Sequence, residues 1–280
     1  MMNIFSTLKM YFQYDFVWRA LIVGVLIALC SSLIGVTLVL KRFSHIGDGL
    51  SHVAFGFMCV AAILHISNDM FLIIPATIVC AVILLSNGEN SKTKGDASLA
   101  VFSVSSMAIG YLIMNIFSES ANVSGDVCTT LFGSTSILTL TKEQVYLSVA
   151  LSIVVFVIYT VFYNKIFLVT FDENFASAIG INTKKYNFLI AIIIALVVVL
   201  AMKLVGSLLV TALIVFPALS SMHLFKSYRL VIINSAIISV FSSVLGIIVA
   251  VICGTPVGST VVVVNLAVYL IVCCIGKAKK

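Results

Sequence analysis

The chain has 280 residues, of which 62% are hydrophobic and 9% charged, with a mean hydropathy of +1.25 and a formal net charge of +6. Soluble domains carry about 25% charged residues, so this composition excludes a soluble globular fold. The basic residues are spread between apolar runs rather than clustered, which argues against a nucleic-acid partner. The sequence therefore predicts a protein whose solvent is the lipid bilayer.

Apolar runs of about 20 residues, the length that a spanning helix needs, follow one another along the chain with short polar breaks. The strands of a membrane barrel would alternate in polarity, whereas these runs are continuous. We expect an all-α integral membrane protein with about nine transmembrane helices in one domain, residues 1–280. The predicted spans are about 20–40, 48–66, 70–86, 98–117, 144–163, 187–203, 205–222, 230–252 and 259–275. The second opens with polar residues and the seventh contains Pro217, so both are candidates for broken or tilted helices.

Lysine and arginine predict the orientation, because they accumulate in cytoplasmic loops. With nine spans, most of the 16 basic residues fall on one side of the membrane. That side holds Lys41, Arg42, Lys92, Lys94, Lys165, Lys184, Lys185, Lys226, Arg229, Lys277, Lys279 and Lys280. The opposite side holds Lys9, Arg19, Lys142 and Lys203. The asymmetry predicts an outside N-terminus and a cytoplasmic C-terminus.

The loop at about 164–186 has the pattern of a short amphipathic helix. Acidic residues favour a helix start, and a glycine followed by basic residues favours its end. The residues that form this pattern are Asp172, Glu173, Phe175, Ala176, Ile179 and Gly180. We expect a helix on the cytoplasmic side whose apolar residues are available to a partner.

Asp48 and His52 are the candidate metal ligands. They lie four residues apart at the start of the second span, so a helix places both on one face. An aspartate close to a span interior is costly and usually marks a pathway, and a carboxylate with an imidazole suits zinc, manganese or iron. The alternative is that Asp48 caps the helix and His52 bonds locally. Whether Cys59, which shares that face, or His45 contributes stays open.

Several catalytic and nucleotide-binding patterns do not occur in the sequence. A GxxxxGK[ST] loop is absent, so the chain does not bind ATP in the P-loop manner. GxSxG, HExxH and CxxC are also absent, which weakens an interpretation as a hydrolase or redox enzyme. Any energy from ATP would have to come from another chain.

Four stretches together resemble the ABC-type manganese/zinc/iron permeases. LVLKRFSHIGDGLSH resembles their opening segment, where a basic pair precedes a GDxxSH motif, and FDENFASAIGIN resembles their cytoplasmic coupling segment. MKLVGSLLVTALIVFPALSS is similar to the G-x-LL-x-x-AL-x-x-x-PA block, and CGTPVGSTVVVV to the closing turn and last helix. The resemblance runs from about residue 20 to 275. Gly49 replaces the commoner alanine, and the stretch 53–56 lacks a proline often found there, which leaves the metal preference open.

The resemblance implies an inverted-repeat ABC importer permease fold, with the first four and last four spans related about the fifth. It implies a homodimer that works with a cytoplasmic ATPase and an extracytoplasmic metal-binding protein. The divalent metal would be the transported substrate, no resident cofactor is expected, and Asp48 and His52 would line the path along the dimer interface. The segment from Asp172 to Gly180 would couple to the ATPase.

Two other functions are alternatives to that of an ATP-driven importer. A secondary transporter driven by protons or sodium also uses inverted repeats and broken helices. Such proteins commonly carry several acids in mid-membrane, and among the ten acids here Asp48 alone lies close to a span interior. A membrane-embedded metal-dependent enzyme would need a third ligand and a nucleophile besides Asp48 and His52, and the sequence suggests neither.

Overall fold

The computed structural model describes residues 11–66, 69–87, 95–117 and 140–278, and the regular structure of these residues is helical. The loop between the fourth and fifth predicted spans, residues 118–143, lies mostly outside the described residues. Lys9, Lys92, Lys94, Lys279 and Lys280 also lie outside them. The helices in the described ranges are α1 Asp15–Leu40, α2 Ile46–Ile63, α3 Met70–Asn87, α4 Gly95–Phe117, α5 Lys142–Val161, α6 Tyr163–Phe171, α7 Glu173–Ala178, α8 Thr183–Val205, α9 Ser207–Leu224, α10 Tyr228–Cys253 and α11 Val257–Ala278.

Every predicted span coincides with one of these helices. Seven are long and apolar enough to cross a membrane by length and composition, and the apolar helices at Met70–Leu85 and Leu209–Leu224 are shorter. Neither α2 nor α9 is broken: α9 continues through Pro217. A membrane helix tolerates proline where neighbouring groups satisfy the freed carbonyl. The short helix α6 was not predicted, because most of its residues were assigned to the loop at about 164–186.

The helices divide into two compact units. The first unit comprises the described residues of 1–36, 129–154 and 200–280, where α9, α10 and α11 pack on one another. Ser239 Oγ donates to the carbonyl of Ala28 at 2.9 Å, and a Cβ at Gly35 would collide with the backbone carbonyl of Ile214. Small residues therefore bring helix backbones together, as is usual in membrane proteins.

The second unit comprises the described residues of 37–128 and 155–199, and α2 packs there against α3 and α4. A Cβ at Gly110 would lie 2.9 Å from the Cα of Gly56, and one at Gly56 would collide with Ser106. Leu50 and Phe55 of α2 are fully buried. This close packing holds α2, the helix that carries the candidate ligands, against α4.

Candidate functional site

A tight turn between α1 and α2 sets where the candidate ligands lie. Arg42 has a φ of +63°, its N–H donates to the carbonyl of Val39, and the Phe43 N–H donates to that of Leu38. This is the hydrogen-bond pattern that ends a helix with a left-handed residue. The chain turns within five residues and α2 begins at Ile46.

Asp48 does not cap α2. The N-cap is His45, whose side chain makes no capping hydrogen bond, and Asp48 lies in the first turn. The capping alternative is wrong because the turn starts the helix two residues before Asp48. A carboxylate in this position is still favoured by the partial positive charge of the helix N-terminus.

The structure brings Asp48 and His52 together on one face of α2, as their spacing predicted. Asp48 Oδ1 lies 3.6 Å from His52 Nε2, which is beyond ordinary hydrogen-bond length. The side chains are 43% and 19% exposed, respectively. His52 Nδ1 is buried and, among the described residues, has no hydrogen-bond partner. A carboxylate and an incompletely satisfied imidazole therefore lie side by side, and both are ligands for a divalent transition metal.

A cavity of about 460 Å³ opens beside Asp48, between the start of α2 and α4. His45 and Asp48 line one wall and Ser103 lines the other, while His52 is not part of the lining. Further along the same helices is an apolar cavity of about 450 Å³ whose walls include Phe102 and Cys80. Of these two cavities, the polar one is thus the one beside Asp48.

Within the described part of one chain, Asp48 and His52 are a pair of possible metal ligands and are not part of a larger cluster. No group of three or more His, Cys, Asp or Glu residues that could hold a metal occurs among the described residues. Cys59 is fully buried, and its Sγ lies 3.4 Å from where a Cβ on Gly110 would be, so it packs between α2 and α4. Zinc sites usually have four ligands, so Asp48 and His52 alone do not make a complete zinc site.

The segment after α6 forms the expected short helix, α7. The Phe175 N–H donates to Asp172 Oδ1 at 2.9 Å, so Asp172 is the N-cap. Gly180 has a φ of +84°, and the N–H groups of Gly180 and Ile181 donate to the carbonyls of Ser177 and Ala176. The glycine end of the helix is therefore as predicted, because only glycine adopts this φ without strain.

Burial corrects one part of the prediction for α7. Phe175 and Ile179 are 54% and 52% exposed, but Ala176 is fully buried within the chain. Ala176 offers no surface to a partner, because its face of α7 is covered by the chain itself. Phe175 and Ile179 remain as the exposed apolar side chains.

Sequence reasoning missed a polar network beside α7. Lys41 Nζ donates to Asn187 Oδ1 at 2.6 Å, and Asn187 Nδ2 donates to Glu173 Oε1 at 2.8 Å. Asn187 is 146 residues from Lys41 and 14 from Glu173 in the chain. The one available signal was a polar asparagine at the beginning of an otherwise apolar run. The network also places the α1–α2 turn and α7 at the same end of the second unit.

Comparison with known proteins supports the resemblance found in the sequence. Residues 13–276 match the model of the ABC 3 transport family. The manganese import system permease protein ScaB of Streptococcus gordonii is 27% identical over 259 residues, which are 92% of this chain and 91% of that protein. The high-affinity zinc uptake system membrane protein ZnuB of Haemophilus influenzae is 25% identical over 259 residues, 92% of this chain and 97% of that protein.

A solved structure shares the fold. It is PsaBC from Streptococcus pneumoniae in complex with Fab, with a TM-score of 0.84 and 24% identity, and the match covers 96% of this chain and 95% of that one. The two chains thus have the same fold. Because the family model spans nearly all of the sequence, the chain belongs to the ABC 3 transport family.

Proposed function

We propose that this chain is the membrane-spanning permease of an ATP-driven importer for a divalent transition metal: manganese, zinc or iron. The observation that carries the proposal is the Asp48–His52 pair, with Nε2 facing a carboxylate at 3.6 Å and Nδ1 buried without a partner among the described residues. The relatives named for manganese import and zinc uptake support the same class of substrate. Family membership favours an ATP-driven importer over a secondary transporter.

The site is completed, in this proposal, by a second copy of the chain. Two copies that meet along α2 contribute two carboxylates and two imidazoles, which is enough for one divalent ion. A transport site has to admit and release its ion, so moderate ligands from two chains suit the task better than a closed thiolate cage. An outer metal-binding protein delivers the ion to the permease.

The energy comes from a separate cytoplasmic ATPase that docks on α7. Phe175 and Ile179 are the exposed apolar residues of that helix and its C-terminal end. Aromatic residues, Phe among them, are enriched in protein interfaces. The N-terminus is outside the cell and the C-terminus is cytoplasmic, because this orientation places most basic residues inside.

Cellular metal content tests this function. Cells that lack the chain should contain less manganese, zinc or iron when that metal is scarce, and the wild-type chain should restore the loss. His52→Ala should not restore it, although the protein is inserted in the membrane. Magnesium content, which depends on harder oxygen sites, is the control and should not change. Unchanged content of all three transition metals under scarcity would overturn the proposal.

A further inference from the structure

The polar network of Lys41, Asn187 and Glu173 joins the two parts of the second unit that the proposed function requires to work together. Lys41 directly follows α1 and begins the turn into α2, and Glu173 is the first residue of α7. All three side chains are half-buried, whereas the neighbouring Arg42 and Asn174 are exposed. The network is therefore part of the packed structure rather than a surface contact.

Asparagine is chemically suited to the central position. A lysine ammonium only donates hydrogen bonds and an ionised glutamate only accepts them, whereas an amide does both. Asn187 accepts from Lys41 with Oδ1 and donates to Glu173 with Nδ2. Both bonds involve a charged partner, which strengthens them. An aspartate at this position would still accept from Lys41 but would repel Glu173.

The two ends of the network lead to the two functional sites. From Lys41 the chain passes through Arg42, whose left-handed conformation is unfavourable for a residue with a side chain, and reaches Asp48 seven residues later. From Glu173 the chain passes directly into the α7 turn that exposes Phe175. A shift of α7 that keeps both hydrogen bonds therefore moves the turn that carries the start of α2.

We propose that Asn187 is a positioning residue that couples movement of the ATPase-docking helix α7 to the ion site on α2. This inference rests on the proposed function, since it assumes that an ATPase docks on α7 and that Asp48 and His52 hold the ion. Loss of the network leaves both sites intact but disconnects them. ATP is then hydrolysed without matching transport.

The test is the number of metal ions transported per ATP hydrolysed by the permease and its ATPase in proteoliposomes, with manganese or zinc as the probe. Asn187→Asp should lower this ratio by about tenfold, the effect of losing a charge-assisted hydrogen bond, while ATP hydrolysis continues. Lys41→Met, which keeps the apolar stem and removes the donor, should lower it similarly. A merely structural residue would lower the amount of assembled complex and leave the ratio unchanged.

Two further variants make the test specific. Asn182→Asp is the matched control, because it adds the same charge just before α8. In the wild-type chain the Lys185 N–H donates to Asn182 Oδ1 at 3.2 Å, and an aspartate keeps an oxygen that accepts this hydrogen bond. It should keep the wild-type ratio. Combining Glu173→Gln with Asn187→Asp exchanges the carboxylate and the amide, so the network can form again, and the ratio should recover to within about twofold of wild type.

The outcomes separate this inference from the proposed function. If the wild-type complex moves the metal and both Asn187→Asp and Lys41→Met keep its ratio, the coupling role is wrong and the proposed function stands. The coupling role is also wrong if the exchanged pair assembles but does not recover the ratio. If the wild-type complex moves neither metal with ATP, the proposed function fails and this inference fails with it.

Discussion

The imidazole of His52 is the side chain on which the ion site depends most. Its Nδ1 is buried without a partner among the described residues, and its Nε2 faces Asp48. Asp48 is 43% exposed, so a hydrated cation can approach its carboxylate before it loses water. The pair combines access for the ion with a ligand that lacks a competing hydrogen bond. This arrangement suits a site that binds an ion only in passing.

Substitution of either ligand should weaken metal binding to the purified permease. Asp48→Asn keeps the shape and removes the charge, and His52→Ala removes the imidazole. Each should lower the affinity for Mn²⁺ or Zn²⁺ by at least about tenfold, since even the outer partners of metal ligands contribute 10–100-fold. Titration with the metal measures this. His223→Ala is the control, because His223 Nδ1 already bonds the carbonyl of Leu219 at 2.8 Å. Wild-type affinity in both ligand variants would disprove the assignment.

The sequence predicted the pair but not its surroundings. A four-residue spacing on a helix determines that two side chains share a face, so the Asp48–His52 contact followed directly. The helix start did not follow, because the hydrogen bonds of the turn around Arg42 determine it. The bond from Lys41 to Asn187 spans 146 residues and depends on tertiary packing that no local pattern encodes.

At the scale of elements, α7 illustrates what local chemistry determines. Asp172 at its start and Gly180 at its end follow the residue preferences of helix termini, and both take those positions. The orientation of the helix did not follow from the pattern. Ala176 is buried, whereas Phe175 is exposed, and that difference depends on how α7 packs on α6.

A charge at Phe175 should detach the ATPase. Phe175→Asp places a carboxylate where the proposed interface buries an aromatic ring, and loss of such an anchor typically weakens an interface by tenfold or more. Asn174→Asp adds the same charge one residue away on the exposed surface and is the control. Co-purification of the ATPase with the permease measures the effect. Equal retention by the two variants would contradict docking through Phe175.

Close helix packing in the second unit depends on glycine. Gly110→Ala places a Cβ 2.9 Å from the Cα of Gly56, so α2 and α4 have to separate, at a cost of about 1–3 kcal/mol. Gly276→Ala is the control, because its Cβ would meet nothing closer than 3.8 Å. Thermal unfolding in detergent should show a lower melting temperature for Gly110→Ala alone. Equal melting temperatures would mean that this contact does not limit stability.

At the scale of the molecule, the composition predicted that the protein lies in a lipid bilayer, and the apolar runs predicted its helices. The nine predicted spans correspond to α1–α5 and α8–α11, because a run of about 20 apolar residues has few other stable structures in lipid. The short helix α6 was not predicted, since most of its residues were assigned to the loop that follows the fifth span. The division into two units depends on contacts between distant residues.

Cysteine labelling tests the orientation that the basic residues predict. In a variant without native cysteines, single cysteines at Lys184 and Ser259 place one thiol on each side of the membrane, and both positions are exposed. A thiol reagent that does not cross the membrane should label Ser259→Cys in intact cells. It should label Lys184→Cys only after the cells are permeabilised. Labelling of Lys184→Cys in intact cells would reverse the orientation.

ATP-driven uptake of metal into proteoliposomes is the most direct test of metal import through the Asp48–His52 site. The wild-type permease, assembled with its ATPase and supplied with its metal-binding protein, should accumulate manganese or zinc only when ATP is present. His52→Ala should assemble to the same extent and accumulate the metal at no more than about a tenth of that rate. Uptake by His52→Ala at the wild-type rate, or wild-type uptake that does not depend on ATP, would contradict the account.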